Sequence, residues 1–401
     1  MNIKFYAHEQ IVKTFNENLA KTKSLDEVEH DIDLLPYGIV STDENKHVHG
    51  AFDRNKNFCE KSTFYRVGIR KRTPKKPTKI THFMNVDAIY CGYDTSFHFG
   101  HFFIEGIARI WPILHQKYQN CRLVFIHHPK HKFPKYAYEL LELVGGGEDR
   151  IVVIDKTTQF KNLIVPTQCV DMGVFVSKKT QQIYNQIAQN TNLPDIKTFD
   201  KIYLSRTQLG KHRTFGEIAI EQIFMNNGFH VVYPEQLPIL HQVWLAKNAR
   251  IIAGVAGTAL HLGVFMRPGG QVIQIKRNRM PNDMSTVQYL LGKLNNSDLT
   301  IIDASIENTP TTHSSAKPQI IGDTQYMKQF LDDNGFIYTQ KDFDKYKKSE
   351  WRQYNQMMRL VKFKQVSKKI TRPILRLISL VGITRKNQRH IRDLIEKFLY
   401  N

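Results

Sequence analysis

Residues that can bind a diphosphate follow short apolar segments between residues 201 and 277. Arg206 and Arg213 carry guanidinium groups, which pair with phosphate through two parallel hydrogen bonds. The turn 254–257 is made of small residues, and backbone N–H groups in such a turn approach a phosphate without a Cβ clash. This chemistry points to a nucleotide ligand. The other candidate ligand-binding residues of this run are Ser205, Glu235, Gly257, Thr258, Ala259 and His261.

The spacing of apolar residues predicts alternating strands and helices through the same run. Alternation of this kind is typical of a doubly wound parallel sheet, in which ligands bind beyond the carboxyl ends of the strands. Arg206 and Glu235 follow two of these ends, so we expect the arginine at a diphosphate and the carboxylate at ribose hydroxyls. The predicted strands are 201–206, 229–233, 250–253 and 271–275, and the predicted helices are 215–226 and 239–249.

A second group of ionisable residues recurs at helical spacing earlier in the chain. His101, Glu105 and Arg109 are four residues apart on a helix predicted over 98–112, so they share one face. A half-buried face with three ionisable groups is costly unless those groups serve a site or one another. Two interpretations fit this spacing, a catalytic site and a structural His–Glu–Arg ladder. Asp94 lies just before this helix, in a polar loop that follows a predicted strand.

The first half of the chain contains its own strand–helix–strand pattern. Residues 123–126 and 151–154 are continuous apolar runs, as in buried parallel strands, and residues 136–144 between them are predicted to be helical. Residues 64–72, earlier in the chain, are also predicted to be a strand. We therefore expect an α/β protein with two Rossmann-like domains that face a cleft. The predicted division is a first domain over 1–190, a nucleotide-binding domain over 191–306, and a loop with a basic amphipathic helical tail over 307–401.

The ordered set of motifs resembles glycosyltransferase family 61, over about residues 85–280. That family has a serine–arginine pair, a later arginine, Gly-Phe, Pro-Glu and Gln motifs, and then a glycine-bounded turn. It often has an earlier Gly-His-Phe, followed by an acidic residue and an arginine. The matching positions are Gly100-His101-Phe102, Glu105, Arg109, Ser205-Arg206, Arg213, Glu217, Gly228-Phe229, Pro234-Glu235, Gln242, Gly254, 257–261 and Phe265. The chain departs from the family at Gly216, where asparagine is usual.

The resemblance implies an inverting glycosyltransferase of GT-B type that takes its sugar from a nucleotide sugar, with UDP as the expected nucleotide. It implies that His101 deprotonates the acceptor hydroxyl and that Glu105 orients or replaces it. Asp94 and Arg109 are expected to bind the acceptor, which would be a glycan or lipid-linked glycan. The expected acceptor is a precursor of a bacterial capsular polysaccharide or lipopolysaccharide.

The resemblance also gives roles to the later candidates. Arg206 and Arg213 would hold the departing diphosphate, assisted by the N–H groups of 257–259, and His261 would reach a phosphate or the donor sugar. No Asp-x-Asp sequence follows a convincing strand end, so we expect neither a metal nor a cofactor beyond the nucleotide sugar.

The formal net charge of +20 predicts an anionic partner, such as a nucleic acid, a membrane surface or an acidic glycan. Residues 341–401 hold 17 Lys and Arg against five Asp and Glu, interleaved with apolar residues. We expect residues 346–401 to bind an anionic membrane surface. For residues 346–362, a terminal helix packed across both domains is an equal alternative.

Other sequence features predict the compartment. The chain begins without the apolar core of a signal peptide and has no apolar run long enough to span a membrane. Its four cysteines are scattered without CxxC spacing, as in a reducing compartment. We expect a cytoplasmic protein, peripheral at the inner face of the cytoplasmic membrane.

Two rival functions remain open on the sequence. A nucleic-acid-binding protein would account for the charge, but its basic residues should interleave with exposed aromatics, whereas here they concentrate in a tail, so no nucleic-acid partner is expected. An NAD-dependent Rossmann protein would need Gly-x-Gly-x-x-Gly after a strand, and the chain has none at such a position.

Overall fold

The structure, a computed structural model, describes residues 1–23, 25, 27–42, 49–70, 74–127, 131–209, 214–278, 285–306 and 319–380, with residues 69, 70 and 361–380 described by their backbone alone. The predicted diphosphate ligand Arg213 lies outside these residues. So do the loop predicted at 309–318 and the end of the predicted membrane-binding tail, 381–401.

The described residues form strands and helices in alternation along the chain. The strands are β1 (Ile3–Tyr6), β2 (Ile32–Pro36), β3 (Ile39–Thr42), β4 (His49–Phe52), β5 (Tyr65–Arg66), β6 (Ile69–Arg70), β7 (His82–Tyr93), β8 (Arg122–Ile126), β9 (Ile151–Ile154), β10 (Thr158–Pro166), β11 (Val170–Asp171), β12 (Phe175–Val176), β13 (Lys201–Leu204), β14 (Thr214–Phe215), β15 (His230–Val232), β16 (Ile251–Val255), β17 (Gln271–Lys276), β18 (Asp298–Asp303) and β19 (Gln319–Ile320). The α-helices are α1 (Glu9–Leu19), α2 (Phe99–His101), α3 (Lys135–Glu142), α4 (Lys178–Asn190), α5 (Glu217–Asn226), α6 (Ile239–Asn248), α7 (Ser285–Asn295), α8 (Gln325–Asp333) and α9 (Gln340–Leu380).

The first sheet is mixed and has the order β4-β3-β10-β7-β8-β9, with β2 also paired to β10. Its β10, β7, β8 and β9 are parallel, whereas β2, β3 and β4 are antiparallel to their neighbours. Strands β8 and β9 confirm the two predicted parallel strands, and α3 lies between them. Strand β8 is buried as expected, whereas β9 lies at the edge of the sheet and only its Ile154 is buried. The strands β7 and β8 end at Tyr93 and Ile126, so the loops after them meet at one end of the sheet.

The second sheet is parallel throughout, in the order β1-β18-β17-β16-β13-β15. Four of its strands and the helices α5 and α6 confirm the elements predicted from the spacing between residues 201 and 277. Strand β1 comes from the start of the chain and pairs with β18. Residues 3–6 therefore lie in the second sheet, whereas the predicted division counted them with the first domain. The α/β class is confirmed.

The two sheets share one hydrophobic core. Phe103, which follows α2, packs edge-on against Phe265 at 5.6 Å between ring centroids. Tyr184 of α4 packs against both rings, and its hydroxyl donates to the backbone oxygen of Phe103 at 2.6 Å. Because apolar burial is the main stabilising term in folding, this shared core fixes the first half against the second.

Two predicted elements are wrong in detail. The helix predicted over 98–112 is instead the single turn α2, a π-helical segment Phe102–Gly106 and a 3-10 segment Trp111–Leu114. The strand predicted over 64–72 is a hairpin of β5 and β6, whose turn has Val67 and Gly68 at φ of 54° and 69°. Short elements of this kind carry too few residues for a periodic pattern, which is why the spacing did not reveal them.

The segment after residue 319 packs against the second sheet. Phe330 of α8 stacks on Phe224 of α5 at 6.2 Å between centroids, and Tyr354 of α9 is buried against Phe215 of β14. The carboxylate of Glu350, also buried, accepts a hydrogen bond from the backbone N–H of Gly216 at 2.8 Å. The first part of α9 is thus built into the second half of the protein.

Gly216, where the family usually has asparagine, is required by this packing. Its φ is 84°, and a Cβ added to it would lie 1.9 Å from the backbone oxygen of Ile321. Asparagine tolerates a positive φ, but any side chain at this position would collide with the chain after β19. The glycine at this position therefore accompanies the close approach of Ile321 to the start of α5.

We predict that Gly216→Ala lowers the free energy of unfolding by more than about 3 kcal/mol, because it adds a backbone clash to the cost of a positive φ. Gly228→Ala is the matched control. Gly228 has the same φ of 84° with no atom within 4 Å of the added Cβ, so it should lose only about 1 kcal/mol. Urea unfolding measures both, and equal losses would contradict the clash.

Candidate active site

The two halves touch where the predicted catalytic and diphosphate-binding residues lie. A Cβ on Gly100 of α2 would lie 2.2 Å from Cγ2 of Thr258, so the helix rests directly on the start of the 3-10 segment Thr258–Phe265. A Cβ on Gly257 would lie 2.6 Å from a guanidinium nitrogen of Arg206. Direct contacts therefore lead from the residue beside His101 to Arg206, and the structure brings these two candidates to one interface.

His101 and Glu105 form a hydrogen-bonded pair on the first-half side of this interface. The Nδ1 atom of His101 lies 2.9 Å from Oε2 of Glu105, and the side chains are 32% and 2% exposed. Burial alone would raise the pKa of Glu105, but hydrogen bonds from His101 and Arg66 outweigh it and hold the pKa below its ordinary value. An ionised carboxylate only accepts, so Nδ1 carries the proton and Nε2 of a neutral ring keeps its lone pair.

Arg66 is a site residue that the sequence reasoning missed. Its Nε and one terminal nitrogen each lie 2.5 Å from an oxygen of Glu105, in the two-point geometry that holds a carboxylate in one orientation. Arg66 is placed by the β5–β6 hairpin, whose turn N–H groups at Val67 and Gly68 donate to Asp171. A lone arginine 39 residues before its partner gives no local signal in the sequence.

The π-helical turn explains why Glu105 reaches His101 while Arg109 points elsewhere. A π turn is wider than an α turn and is frequent at functional sites. Here it carries Glu105, and the chain leaves helical geometry before Arg109. The predicted face shared by all three residues is therefore reduced to the pair His101 and Glu105.

Arg109 is 2% exposed and acts as a structural clamp. Its guanidinium donates to the backbone oxygens of Lys61, Thr63 and Pro166, which belong to separate segments of the first half. Burial lowers the pKa of Arg109. These contacts fit a structural role better than a role at the acceptor, although Arg109 lines a cavity beside Glu105 and does not complete the predicted His–Glu–Arg ladder.

Asp94 lies at the end of β7, as predicted, and is fully buried. One carboxylate oxygen accepts from the backbone N–H of Ser96 at 2.8 Å, while the other has no partner among the described residues. The hydroxyls of Thr95 and Ser96 are likewise buried without a partner there. Three such polar atoms in consecutive residues mark this loop as a place where a ligand can complete the hydrogen bonding.

The diphosphate side of the interface holds two half-buried arginines. Burial lowers the pKa of Arg206, and the Nε atom of this residue has no partner within the described chain. Burial and the charge of Arg206 together lower the pKa of Arg277 to about 10. Arg277 follows β17 and was not among the predicted site residues, although its position after a strand end was a usable signal.

Glu217 lies between these arginines, at the start of α5. Burial raises its pKa to about 8, even though the backbone N–H of Arg206 donates to its Oε1 at 2.9 Å. Its other carboxyl oxygen has no partner among the described residues. At neutral pH the carboxyl is therefore mostly protonated, and the two guanidinium charges are left to attract an anion. The charge of Glu235, which is exposed at the end of β15, also acts on Arg206.

The remaining predicted ligand-binding residues lie around the same strand ends. The hydroxyl of Ser205 is buried and bonded to Glu221 and Thr207, so it holds the loop in place and is not directed at a ligand.

His261 is fully buried, with Nδ1 3.2 Å from Oε1 of Gln288, and burial lowers its pKa to about 4. Its Nε2 has no partner within the described residues. Gly257, Thr258 and Ala259 are half-buried at the start of the 3-10 segment, where the first backbone N–H groups of a helical segment have no partner inside it.

We predict that the pKa of Glu217 makes part of the stability depend on pH. The folded pKa of about 8 exceeds the ordinary value of 4.5, so the folded state holds a proton that the unfolded chain has lost. The free energy of unfolding therefore falls as the pH rises through this window, by at most about 1.4 kcal/mol per unit. Urea unfolding across the window measures this slope.

Glu217→Gln should remove this contribution to the slope, because the amide does not titrate. Tyr203→Phe is the control, since it removes a hydroxyl bonded to Glu217 and keeps the carboxyl. The prediction is contradicted if the wild type and Glu217→Gln depend on pH alike.

Comparison with known protein families gives a match. None of the curated proteins matches the chain. Among the described residues, no helix is long and apolar enough to cross a bilayer, and no group of three or more His, Cys, Asp or Glu is placed to hold a metal. A family model described as Glycosyltransferase 61 matches residues 99–273, a range that contains His101, Glu105, Arg206 and the turn before Thr258. This match supports a glycosyltransferase of family 61.

Proposed function

We propose that the protein is an inverting glycosyltransferase that moves a sugar from a UDP-sugar to a hydroxyl of a bacterial capsular polysaccharide or lipopolysaccharide precursor. One observation carries the proposal. The pair of His101 and Glu105 packs, through Gly100 and Thr258, against the turn that contacts Arg206. A base and a cationic phosphate site are thus held at one interface by two different sheets.

In the proposed reaction, Nε2 of His101 takes the proton of the acceptor hydroxyl. The hydroxyl oxygen forms a bond to the anomeric carbon of the donor from the face opposite the nucleotide. The bond from that carbon to the diphosphate breaks, and its electron pair leaves with the phosphate. Direct displacement of this kind inverts the anomeric configuration. Glu105 is proposed to orient the base rather than to replace it, because Arg66 and His101 already occupy its carboxylate.

Positive charge is proposed to stabilise the leaving diphosphate without a divalent cation. Arg206 and Arg277 supply half-buried guanidinium groups, and the N–H groups of 257–259 supply further donors. The protonated state of Glu217 keeps these charges available. Glu235, exposed at the end of β15, is in the right place for ribose hydroxyls.

A GT-B arrangement is the proposed architecture. Support comes from two sheets with parallel strands whose loops meet at the interface between Gly100 and Thr258. The division near residue 190 is supported by α4, which ends at Asn190 between the last strand of the first sheet and β13. The donor is proposed to bind the second half and the acceptor the first.

A peripheral location at the cytoplasmic face of the membrane is also proposed, with the basic tail as its contact. Residues 361–401 carry 11 Lys and Arg against two Asp and Glu. Residues 346–358, in contrast, include Glu350 and Tyr354, which pack on the second half. The proposed lipid contact is therefore restricted to the residues after 360.

We predict that His101→Ala lowers kcat by about 100-fold or more, because it removes the base, and leaves the affinity for UDP unchanged. Arg206→Ala should weaken UDP binding by about 10- to 100-fold, because it removes a charged hydrogen-bond donor. Calorimetry with UDP measures affinity, and release of UDP from UDP-sugars in the presence of a glycoside panel measures turnover.

His82→Ala is the control for these variants, since His82 is exposed at the opposite end of β7. It should behave as the wild type in both assays. If His101→Ala turns over at the wild-type rate, the assignment of His101 as the base is wrong. If the wild-type protein does not bind UDP, the assignment of a UDP-sugar as the donor is wrong.

We predict that replacing Lys364, Lys368 and Lys369 by glutamine weakens binding to vesicles of anionic phospholipid, by up to about 1 kcal/mol per charge. Replacing Lys75, Lys76 and Lys79 removes the same charge from another basic segment and should have little effect. Co-sedimentation with vesicles at low salt measures both. Equal losses for the two triple variants would show a general charge effect and no role for the tail.

A further inference from the structure

A cavity of about 190 Å³ lies at the carboxyl end of β7, on the first-half side of the interface. Tyr93 and Phe97 line it from the strand end and the loop that follows. Phe64 and Arg66 line it from the hairpin side, and Glu105 lines it from the π-helical turn. The carboxylate that orients His101 is therefore also a wall of this cavity.

One polar group in the cavity lacks a partner. Thr95 lines the cavity, is 7% exposed, and has a hydroxyl without a hydrogen-bond partner among the described residues. Buried hydroxyls in proteins are nearly always bonded, so a ligand or solvent molecule is expected to complete it. On another wall, Arg66 and Glu105 present a paired charge whose remaining N–H and lone pairs suit hydroxyl groups.

The size and lining of the cavity limit the ligand. Sites for drug-sized ligands occupy about 300–1,000 Å³, so this cavity is too small for a nucleoside diphosphate and fits a single ring. Aromatic walls suit a ligand with an apolar face, while Thr95 and the Arg66–Glu105 pair suit one with several hydroxyls. A pyranose ring has both properties.

The charges around the cavity favour an uncharged ring. The charged residues that line it within the described chain are Arg66, Glu105 and Arg109. Arg66 is paired with Glu105, and Arg109 directs its N–H groups to backbone oxygens. Neither arginine is free to pair with a carboxylate on the sugar.

We propose that this cavity binds one uncharged pyranose ring. This ring is the acceptor unit whose hydroxyl His101 deprotonates. The assignment of that ring as the acceptor rests on the proposed transferase function, whereas its binding does not. Because Glu105 forms the cavity wall and also holds His101, a ring seated there contacts the carboxylate that orients the base.

Ligand-observed NMR with saturation transfer from the full-length protein tests the proposal directly. The probes are the methyl glycosides of glucose, galactose and N-acetylglucosamine, with methyl glucuronide as the charged counterpart. At least one neutral glycoside should bind more tightly than the glucuronide. Thr95→Val removes the unpaired hydroxyl and should weaken that glycoside about tenfold, the size of one hydrogen bond.

A second variant covers the case in which Thr95→Val does not fold. Phe97 is 45% exposed, so Phe97→Ala removes an aromatic wall with little risk to the core, and it should also weaken the glycoside about tenfold. Thr158→Val is the matched control, since Thr158 is a buried threonine that does not line the cavity. It should leave glycoside binding unchanged.

The outcomes separate the cavity from the transferase function. Arg206→Ala should leave glycoside binding intact while it weakens UDP binding. A wild type that binds a glycoside but not UDP counts against the transferase and supports the cavity. The proposal is overturned by glucuronide binding alone, by no binding of any neutral glycoside, or by binding that survives both Thr95→Val and Phe97→Ala.

Discussion

The close approach of α2 to the 3-10 segment Thr258–Phe265 is the constraint on which the site depends. Only a glycine at position 100 allows it, because any Cβ there would overlap the side chain of Thr258. The contact sets the distance between His101, which follows at once in the chain, and the turn against Arg206. The shared core of Phe103, Tyr184 and Phe265 lies just behind this contact and keeps it from opening.

The two sides of the interface differ in how their charged side chains are paired. On the first side, the carboxylate of Glu105 is balanced by Arg66 and His101, so an ionised group is held in a fixed direction. On the second side, Arg206 and Arg277 share Glu217, whose carboxyl is mostly protonated at neutral pH. An excess of buried positive charge is costly, and an incoming anion reduces that cost. The first arrangement suits a group that moves a proton, and the second suits one that holds a phosphate.

Much of the second sheet was predictable from the sequence because its strands are buried on both faces. Strand β16, for example, is a continuous apolar run, and Asn227-Gly228 ends α5 as expected. The pair of His101 and Glu105 was also predictable from a local pattern, because residues four apart still meet in a widened helical turn. Arg66 and Glu350 were not predictable, because each reaches its partner through a pairing of distant segments that leaves no periodic pattern. The role of Arg109 was open on the sequence, and its contacts with three backbone oxygens are visible only in the fold.

Strand β1 pairs with a strand that lies far from it in the sequence. Residues 3–6 complete the margin of a sheet whose neighbouring strand, β18, is made some three hundred residues later. During synthesis the backbone of β18 therefore stays unpaired along one side until it pairs with β1, a segment that left the ribosome long before it. A fragment that begins near residue 191 would leave the backbone groups of β18 exposed along one side, in the geometry that invites pairing with another copy and aggregation.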